Sequence, residues 1–402
     1  MKSFAKSGAL LSIAGVALSL ACSATLVLSQ SDSRQIALSL QQQGRNIEAE
    51  SAWRSVLKEH PTDADAFANL GLLEAHQEHY KEAVTYYRKA LALNPQLPGL
   101  RLNIGLSEFK GGDLRAAIRT FLPLLKMQPK SSPEAVRLSA LIGLADYGLG
   151  DYTAAVPYLK EATANDPQNL PFRLALAHSC LSARQFHCVL DVYREILSLN
   201  AESAEADMLA GEALDEMRNH AAAIDQFRAA VKADPKFPEV HFGLGYLLWS
   251  QNQFEEAANE FKAELENVPD NAQALAFLAD ADMQIGKSEE ALPLVEKAIR
   301  IDPRIERAHL DRGILQADAN KREEALREFK AAEKLAPDDP NVHWRMARLY
   351  QSMGMKQQAR IEFDKTSSLH KAENATIFSK LKAAQEKGKP AEEPTPLPAD
   401  SK

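Results

Sequence analysis

The chain has 402 residues, 45% hydrophobic and 25% charged, the balance of a soluble folded protein. Its formal net charge of -8 argues against nucleic-acid binding, which requires a basic footprint. An acidic surface instead favours solubility and basic or neutral partners.

The N-terminal stretch differs from everything after it. Lys2 and Lys6 precede a run from Ser7 to Ser31 without a charged residue, rich in Ala, Leu, Val and Ser. A basic start, an apolar centre and small residues at Ala21–Ala24 read as a secretory signal over 1–29, with cleavage near Ala24. Two other readings stay open. The apolar run continues through Leu26-Val27-Leu28, long enough for a retained membrane anchor over residues 8–29. Leu20-Ala21-Cys22 also half-matches a lipoprotein box, although Ser19 and Leu20 occupy the positions that want Leu and a small residue. On each reading the remainder of the chain faces outward, which predicts an exported protein of the periplasm or cell envelope.

From residue 30 onward, prolines fall on a fixed ruler. Pro61, Pro95 and Pro129 share one spacing, and Pro235, Pro269, Pro303 and Pro337 continue it. A stack of identical supersecondary units must stop and restart at the same point, and proline ends helices. With the proline at position 32, units fall at 30–63, 64–97 and 98–131. After four extra residues (132–135), seven more run from 136–169 to 340–373.

Within this frame, position 8 is Gly or Ala in all ten units, from Ala37 and Gly71 to Gly313 and Ala347. Position 20 is Ala everywhere except Val189, and position 24 is a large side chain such as Trp53, Tyr87, Phe121, Phe261 or Phe329. Small residues let two helices approach, and the large residue fills the space beside the contact. Positions 4, 7, 8 and 11 share one stripe of a first helix; 20, 24 and 27 share a stripe of a second. A turn near position 15, often Gly (Gly44, Gly112, Gly150, Gly286, Gly354), separates them. Each unit is a predicted helical hairpin.

Phe67-x2-Leu70-Gly71, then Tyr80, Ala83, Tyr87 and Ala90, ending at Pro95, resembles a tetratricopeptide repeat, and the resemblance extends over 30–373. It implies an all-α, right-handed superhelical solenoid of antiparallel hairpins, with an inner face lined by first-helix positions 2, 5, 6, 9, 12 and 13. Unit 170–203 departs most, with Arg184 at position 15, Val189 at 20 and Ala201 at 32. Residues 374–386 read as a C-terminal capping helix, with Ile377, Leu381 and Ala384 on one face. The Pro-rich, charged stretch 387–402 reads as a disordered tail.

No chemistry beyond binding is legible. Lys287-Ser288 after Gly286 resembles the end of a phosphate loop, but Ala281 stands where that motif needs Gly, and the segment reads as an inter-helix turn. His241, His309 and His343 share position 4, where packing roles outweigh metal ligation. The expectation is no catalytic residues, no metal and no cofactor. Cys180 and Cys188 fall late in one helix and early in its partner; they either form a disulfide staple or remain two buried thiols.

The inner-face positions carry what is individual to the chain. In the first half they are apolar: Leu72, Leu106, Phe109, Leu144 and Tyr147, with Asn103 at position 6. In the second half Glu205, Glu212, Asp215, Glu216, Glu239, Asp280, Asp311 and Asp318 gather around Phe242, Tyr246, Trp249 and Met283. Aromatics ringed by carboxylates suit a peptide or helix of a protein partner with apolar anchors and Lys or Arg. The alternative is that Leu at position 9 packs on a neighbouring helix and the acids form a solvated face. The family's clamp for acidic C-terminal tails is not expected, because Ala68 and Leu102 stand where its basic partner belongs. The resulting expectation is a non-catalytic scaffold for envelope or secreted proteins. A membrane-anchored assembly factor for a secretion, pilus or polysaccharide machine is the alternative, and a regulatory subunit of an enzyme such as a glycosyltransferase the third reading.

Overall fold

The structure, a computed structural model, describes residues 33–130, 132–199 and 203–387. The leader over 1–29 and residues 388–402 lie outside the described residues. The chain divides into two compact units, one ending at Glu202 and the other beginning at Ser203. All regular structure among the described residues is helical.

Unit 1 comprises five hairpins. They are α1 (33–42) with α2 (Asn46–Glu59), α3 (Ala64–His76) with α4 (Tyr80–Leu93), and α5 (Leu100–Lys110) with α6 (Leu114–Met127). Then come α7 (Pro133–Gly148) with α8 (Tyr152–Asn165), and α9 (Leu170–Ser182) with α10 (Phe186–Ser198). Unit 2 repeats the pattern: α11 (Ala204–Glu216) with α12 (His220–Ala233), α13 (Val240–Ser250) with α14 (Phe254–Asn267), and α15 (Ala272–Gln284) with α16 (Ser288–Ile301). It ends with α17 (Glu306–Asp318) and α18 (Arg322–Leu335), then α19 (Pro340–Ser352) and α20 (Lys356–Lys387). Within each unit, every helix from α2 onward packs on the next in sequence.

The proline frame fixes these boundaries. Every second helix starts at position 17, from Asn46 to Lys356. In the regular units it stops two residues before the proline, whose ring excludes the helical conformation from the residue preceding it. At the turn, the position-15 residue adopts a left-handed backbone in all ten units. The N–H of position 16 then bonds the position-11 carbonyl, as in Gln185 to Cys180 (2.7 Å) and Asn219 to Leu214 (2.9 Å). This αL stop satisfies carbonyls that the first helix leaves open. Five of these residues are the expected glycines; the other five are Glu78, Arg184, Arg218, Asn252 and Asn320, with φ between 57° and 63°. Gly286 and Lys287 form one such turn, with Lys287 as N-cap of α16 and no strand before it.

Positions 8, 20 and 24 build the hairpin core. A Cβ added at Gly71, Gly105, Gly211, Gly245 or Gly313 would lie under 3.0 Å from the ring of Tyr87, Phe121, Phe227, Phe261 or Phe329 respectively. The position-20 alanines are buried throughout, and Trp53, Tyr87, Phe121, Phe261 and Phe329 are fully buried side chains. Unit 170–203 is looser: Tyr193 is only half-buried, and Val192 and Ile196 carry the core there. In that hairpin Cys180 and Cys188 are joined by a disulfide, Cα–Cα 5.9 Å, tying α9 to α10.

Two elements differ from the sequence expectation in detail. The four extra residues become an additional first turn of α7, with the Ser132 hydroxyl accepting from the Ala135 N–H and Pro133 opening the helix. The separate capping helix over 374–386 is instead the distal part of α20, which runs unbroken from Lys356. Nothing between 356 and 387 is Gly or Pro, so the chain lacks a stop until Gly388 and Pro390. None of the described helices is long and apolar enough to cross a membrane.

Candidate protein-binding surface

The first helices of unit 2 carry the densest constellation of exposed aromatic and charged groups. On α13, Phe242, Tyr246 and Trp249 sit at positions 5, 9 and 12, so all three lie along one face. The Tyr246 ring centroid is 6.0 Å from Trp249 and 6.5 Å from Phe242. Phe277, projecting from α15, closes the group edge-on at 5.4 Å from Tyr246 and 5.0 Å from Trp249. Such edge-to-face geometry suits the ring quadrupoles. Tyr246 remains 43% exposed, while Phe242 and Trp249 are half-buried with one side against the core of α14 and α15.

Between α11 and α13 this aromatic face borders a cavity of about 210 Å³. Its floor is Met208, Phe242 and Tyr246, and its rim is Glu212, Asp215 and Glu239. The Asp215 carboxylate is held by the His220 imidazole at 2.7 Å. Glu239 caps α13 with φ 62°, a left-handed conformation that the equivalent unit of unit 1 gives to Gly99. The cavity therefore combines an apolar, polarisable floor with an acidic rim, which favours cationic groups carried on apolar stems.

The acids expected around these rings do not all face solvent. Asp280 is only 4% exposed, and its oxygens accept from Trp249 Nε1 and Gln284 Nε2. The Arg307 guanidinium lies 3.9 Å from Asp280 and stacks 5.0 Å from the Trp249 ring centroid. Asp280 thus positions Trp249, and is not a free carboxylate of the groove. Asp311 is fully buried, and among the described residues neither of its oxygens receives a hydrogen bond. Burial first, and the charge of Asp280 second, hold its carboxyl well above the usual range. Met283 is half-buried against Ala279, Ala291 and Val295.

In unit 1 the apolar inner-face residues are largely absorbed by packing. Leu106 and Phe109 lie against the core of Phe121, Leu138 and Ile142. Tyr147 packs against Tyr152 at 5.8 Å and His178 at 6.2 Å. Leu72, Asn103 and Leu144 are half-buried. A groove leucine that packs its neighbour presents little surface to a ligand, so unit 2 holds the better-formed site.

At position 4, Arg173, His309 and His343 are polar staples to the preceding unit. His309 bonds Glu328 through Nδ1 (2.8 Å) and the Pro303 carbonyl through Nε2 (3.0 Å). His343 bonds Glu362 (2.7 Å) and the Pro337 carbonyl (2.9 Å) in the same way. Arg173 likewise holds the Pro167 carbonyl and Glu195. Glu333, His343 and Glu362 bring ligand atoms within 4.8 Å of one another. Both ring nitrogens of His343 are already engaged and Lys365 pairs with Glu333, so the cluster is a hydrogen-bond staple and gives a metal no free imidazole.

Phe277, Arg307, Trp344 and Arg345 belong to no motif that marks them in the sequence. All four occupy inner-face positions of the frame (6, 2, 5 and 6), so reading every position across every unit would have found them.

Comparison with family models agrees with this architecture. Family models described as tetratricopeptide repeat match residues 34–98, 102–169, 174–238 and 242–304, with a further match at 216–263. The chain belongs to the tetratricopeptide repeat family. Among curated proteins it is similar to the BBSome complex member BBS4 of Bos taurus, 24% identical over 75% of this chain and 57% of that protein. It is also similar to a CTR9 homolog of Arabidopsis thaliana, 24% identical over 71% of this chain but 27% of that protein. The TPR repeat-containing protein YpiA of Bacillus subtilis is 22% identical, over 63% of this chain and 61% of that protein. The chain thus spans less than two thirds of the length of each of these relatives. Among solved structures, a tetratricopeptide repeat protein from Parabacteroides merdae matches with a TM-score of 0.46 and 18% identity, covering 66% of this chain and 97% of that one.

Proposed function

We propose that this chain is a non-catalytic scaffold that receives a peptide or helical segment of a partner protein on the first-helix face of unit 2. One observation carries the reading: Tyr246 stands exposed in a ring cluster with Phe242, Trp249 and Phe277, beside a cavity rimmed by Glu212, Asp215 and Glu239. Large aromatics anchored on one side and open on the other supply contact area at low entropic cost, and carboxylates at the rim select basic partners. The favoured ligand carries apolar anchors with Lys or Arg beside them. The test replaces Tyr246 and Trp249 with Ala together and measures capture of cross-linked partners from the native host. Loss of the wild-type partner set with unchanged helicity supports the reading. Unchanged capture refutes it.

The uncharged stretch from Ser7 to Ser31 supports export, and with it a role in the periplasm or cell envelope. Held by residues 8–29, the same scaffold would organise an envelope assembly, such as a secretion, pilus or polysaccharide machine. Fractionation separates the two versions. A processed chain released by salt rules out the anchored one, and a full-length chain that needs detergent rules out the soluble one.

A further inference from the structure

The other end of unit 2 has the opposite chemistry. Between α17 and α19 lies a cavity of about 280 Å³ lined by Arg322, Arg345 and Arg348, with Asp318 as its single acidic residue. Trp344 forms part of the wall, 37% exposed, and the guanidinium carbons of Arg345 and Arg348 each lie 5.2 Å from its ring centroid. Ile314, Phe329 and Leu349 give the cavity an apolar floor.

Among the described residues, neither Arg345 nor Arg348 has a carboxylate within ion-pair distance, and the buried Nε of Arg345 has no acceptor. Arg345 lies within electrostatic reach of buried Asp311, whose carboxyl it partly offsets, whereas Arg348 is exposed. Arg322 spends one donor on the Ser352 carbonyl, at 3.1 Å. In a chain of net charge -8, two arginines held against a tryptophan, with no carboxylate at ion-pair distance among the described residues, offer chemistry that suits a carboxylate beside an apolar group.

We propose that unit 2 recognises a charge-segregated segment of a partner protein and thereby fixes its direction. Its acidic end enters the Arg345–Trp344–Arg348 cavity, and its basic, aromatic end lies on the Phe242–Tyr246 cavity. Successive first helices α13, α15, α17 and α19 contact one another, so the two cavities are three helix spacings apart. At roughly 10 Å per spacing that is roughly 30 Å, the reach of about nine extended residues. Reversal of such a segment would set like charges against each other at both ends, and that repulsion supplies the orientation. The inference rests on the peptide-binding reading above and adds the second pole.

The test pans a random phage-displayed library of 12-residue peptides on the full chain, then measures the enriched peptides by fluorescence anisotropy. The expected result is sequences with Asp or Glu at one end and aromatic plus Lys or Arg at the other. Arg348→Glu, at an exposed position, should weaken those peptides about tenfold, and Trp344→Ala similarly, with helicity unchanged. Panning on Arg348→Glu should return the basic–aromatic end without the acidic one. Enriched peptides lacking an acidic end, or affinity for Arg348→Glu within twofold of wild type, overturn this inference alone. A library that yields no enriched sequence overturns the peptide-binding reading itself. Acid-ended peptides that bind only after deletion of residues 388–402 would assign the cavity to Glu392, Glu393 or Asp400 of the chain's own tail, and overturn the partner assignment.

Discussion

The contact between positions 8 and 24 makes a quantitative prediction at Gly313 and Phe329. A Cβ at residue 313 would stand 2.4 Å from Phe329 Cε1 and 2.5 Å from Cδ1, where ordinary contacts begin near 3.4 Å. The fully buried ring must move about an ångström, and overpacking of this kind costs about 1–3 kcal/mol. Alanine returns about 1 kcal/mol through its helix propensity over glycine. Gly313→Ala should therefore destabilise by up to about 2 kcal/mol. Phe329→Val alone leaves a cavity and should cost about 2–4 kcal/mol. The preceding unit already carries the double substitution, since Ala279 faces Val295 with both fully buried. Combined at 313 and 329, the two changes should cost about 1–2 kcal/mol less than their sum. Urea denaturation of the full chain by circular dichroism gives the midpoints, and hydrogen exchange in α17 and α18 localises the effect. Additivity within about 0.5 kcal/mol would refute the reasoning. A Gly313→Ala at the neutral end of that range would mean that the Phe329 ring re-seats as freely as in the units where Ala37, Ala177 and Ala347 accompany Trp53, Tyr193 and Phe363, so the coupling between the two changes is the deciding result.

Other expectations follow from the polar interior. The hydrogen bond to Glu328, reinforced by the Pro303 carbonyl, raises His309 above the ordinary 6.5, so its stabilisation is complete below that value and fades as pH rises through the higher folded-state value. His309→Gln should remove that alkaline fade in a series of urea midpoints, and an unchanged pH profile would discount the bridge. Asp146 is pushed up to about 6 by burial and then by Asp151, so it favours folding below the unfolded value of 3.8 and loses that contribution between 3.8 and about 6. Asp146→Asn should flatten the midpoint over that interval; a wild-type profile would place the titration elsewhere. The Cys180–Cys188 disulfide closes a short loop, worth about 2–3 kcal/mol by chain entropy. Dithiothreitol should lower the wild-type stability and leave Cys180→Ala/Cys188→Ala unaffected. Equal sensitivity of both would remove the disulfide from the stability of unit 1.

How far the sequence reached depends on whether a feature repeats in phase. Hairpin boundaries do, because each is fixed by local causes at a constant position: proline at 32, small residues at 8 and 20, a large one at 24. The αL turn repeats too, yet only half of it shows as Gly. Glu78, Arg184 and Arg218 adopt φ near 60° because the position-16 to position-11 bond and the packed hairpin outweigh the strain of a side chain there. Propensity alone would not have placed a turn at those residues.

The site is harder to read because its partners are out of phase. Trp249, Asp280 and Arg307 meet although they occupy positions 12, 9 and 2 of three successive units, so their ladder slants across the repeat. Each was visible as an inner-face residue, but the sequence does not say which carboxylates those neighbours consume. Asp280 is buried and bonds Trp249, whereas Glu212 and Glu239 line the cavity beside Tyr246; burial separates the acid that positions a ring from the acids that line the cavity. The same logic divides the arginines. Arg307 is held by Asp280 and Trp249, and Arg348 has the ring of Trp344 but, among the described residues, no acid at ion-pair distance. A substitution at Arg307 should therefore disturb Trp249 and the hairpins around it, whereas one at Arg348 should alter what the surface binds and leave the fold intact.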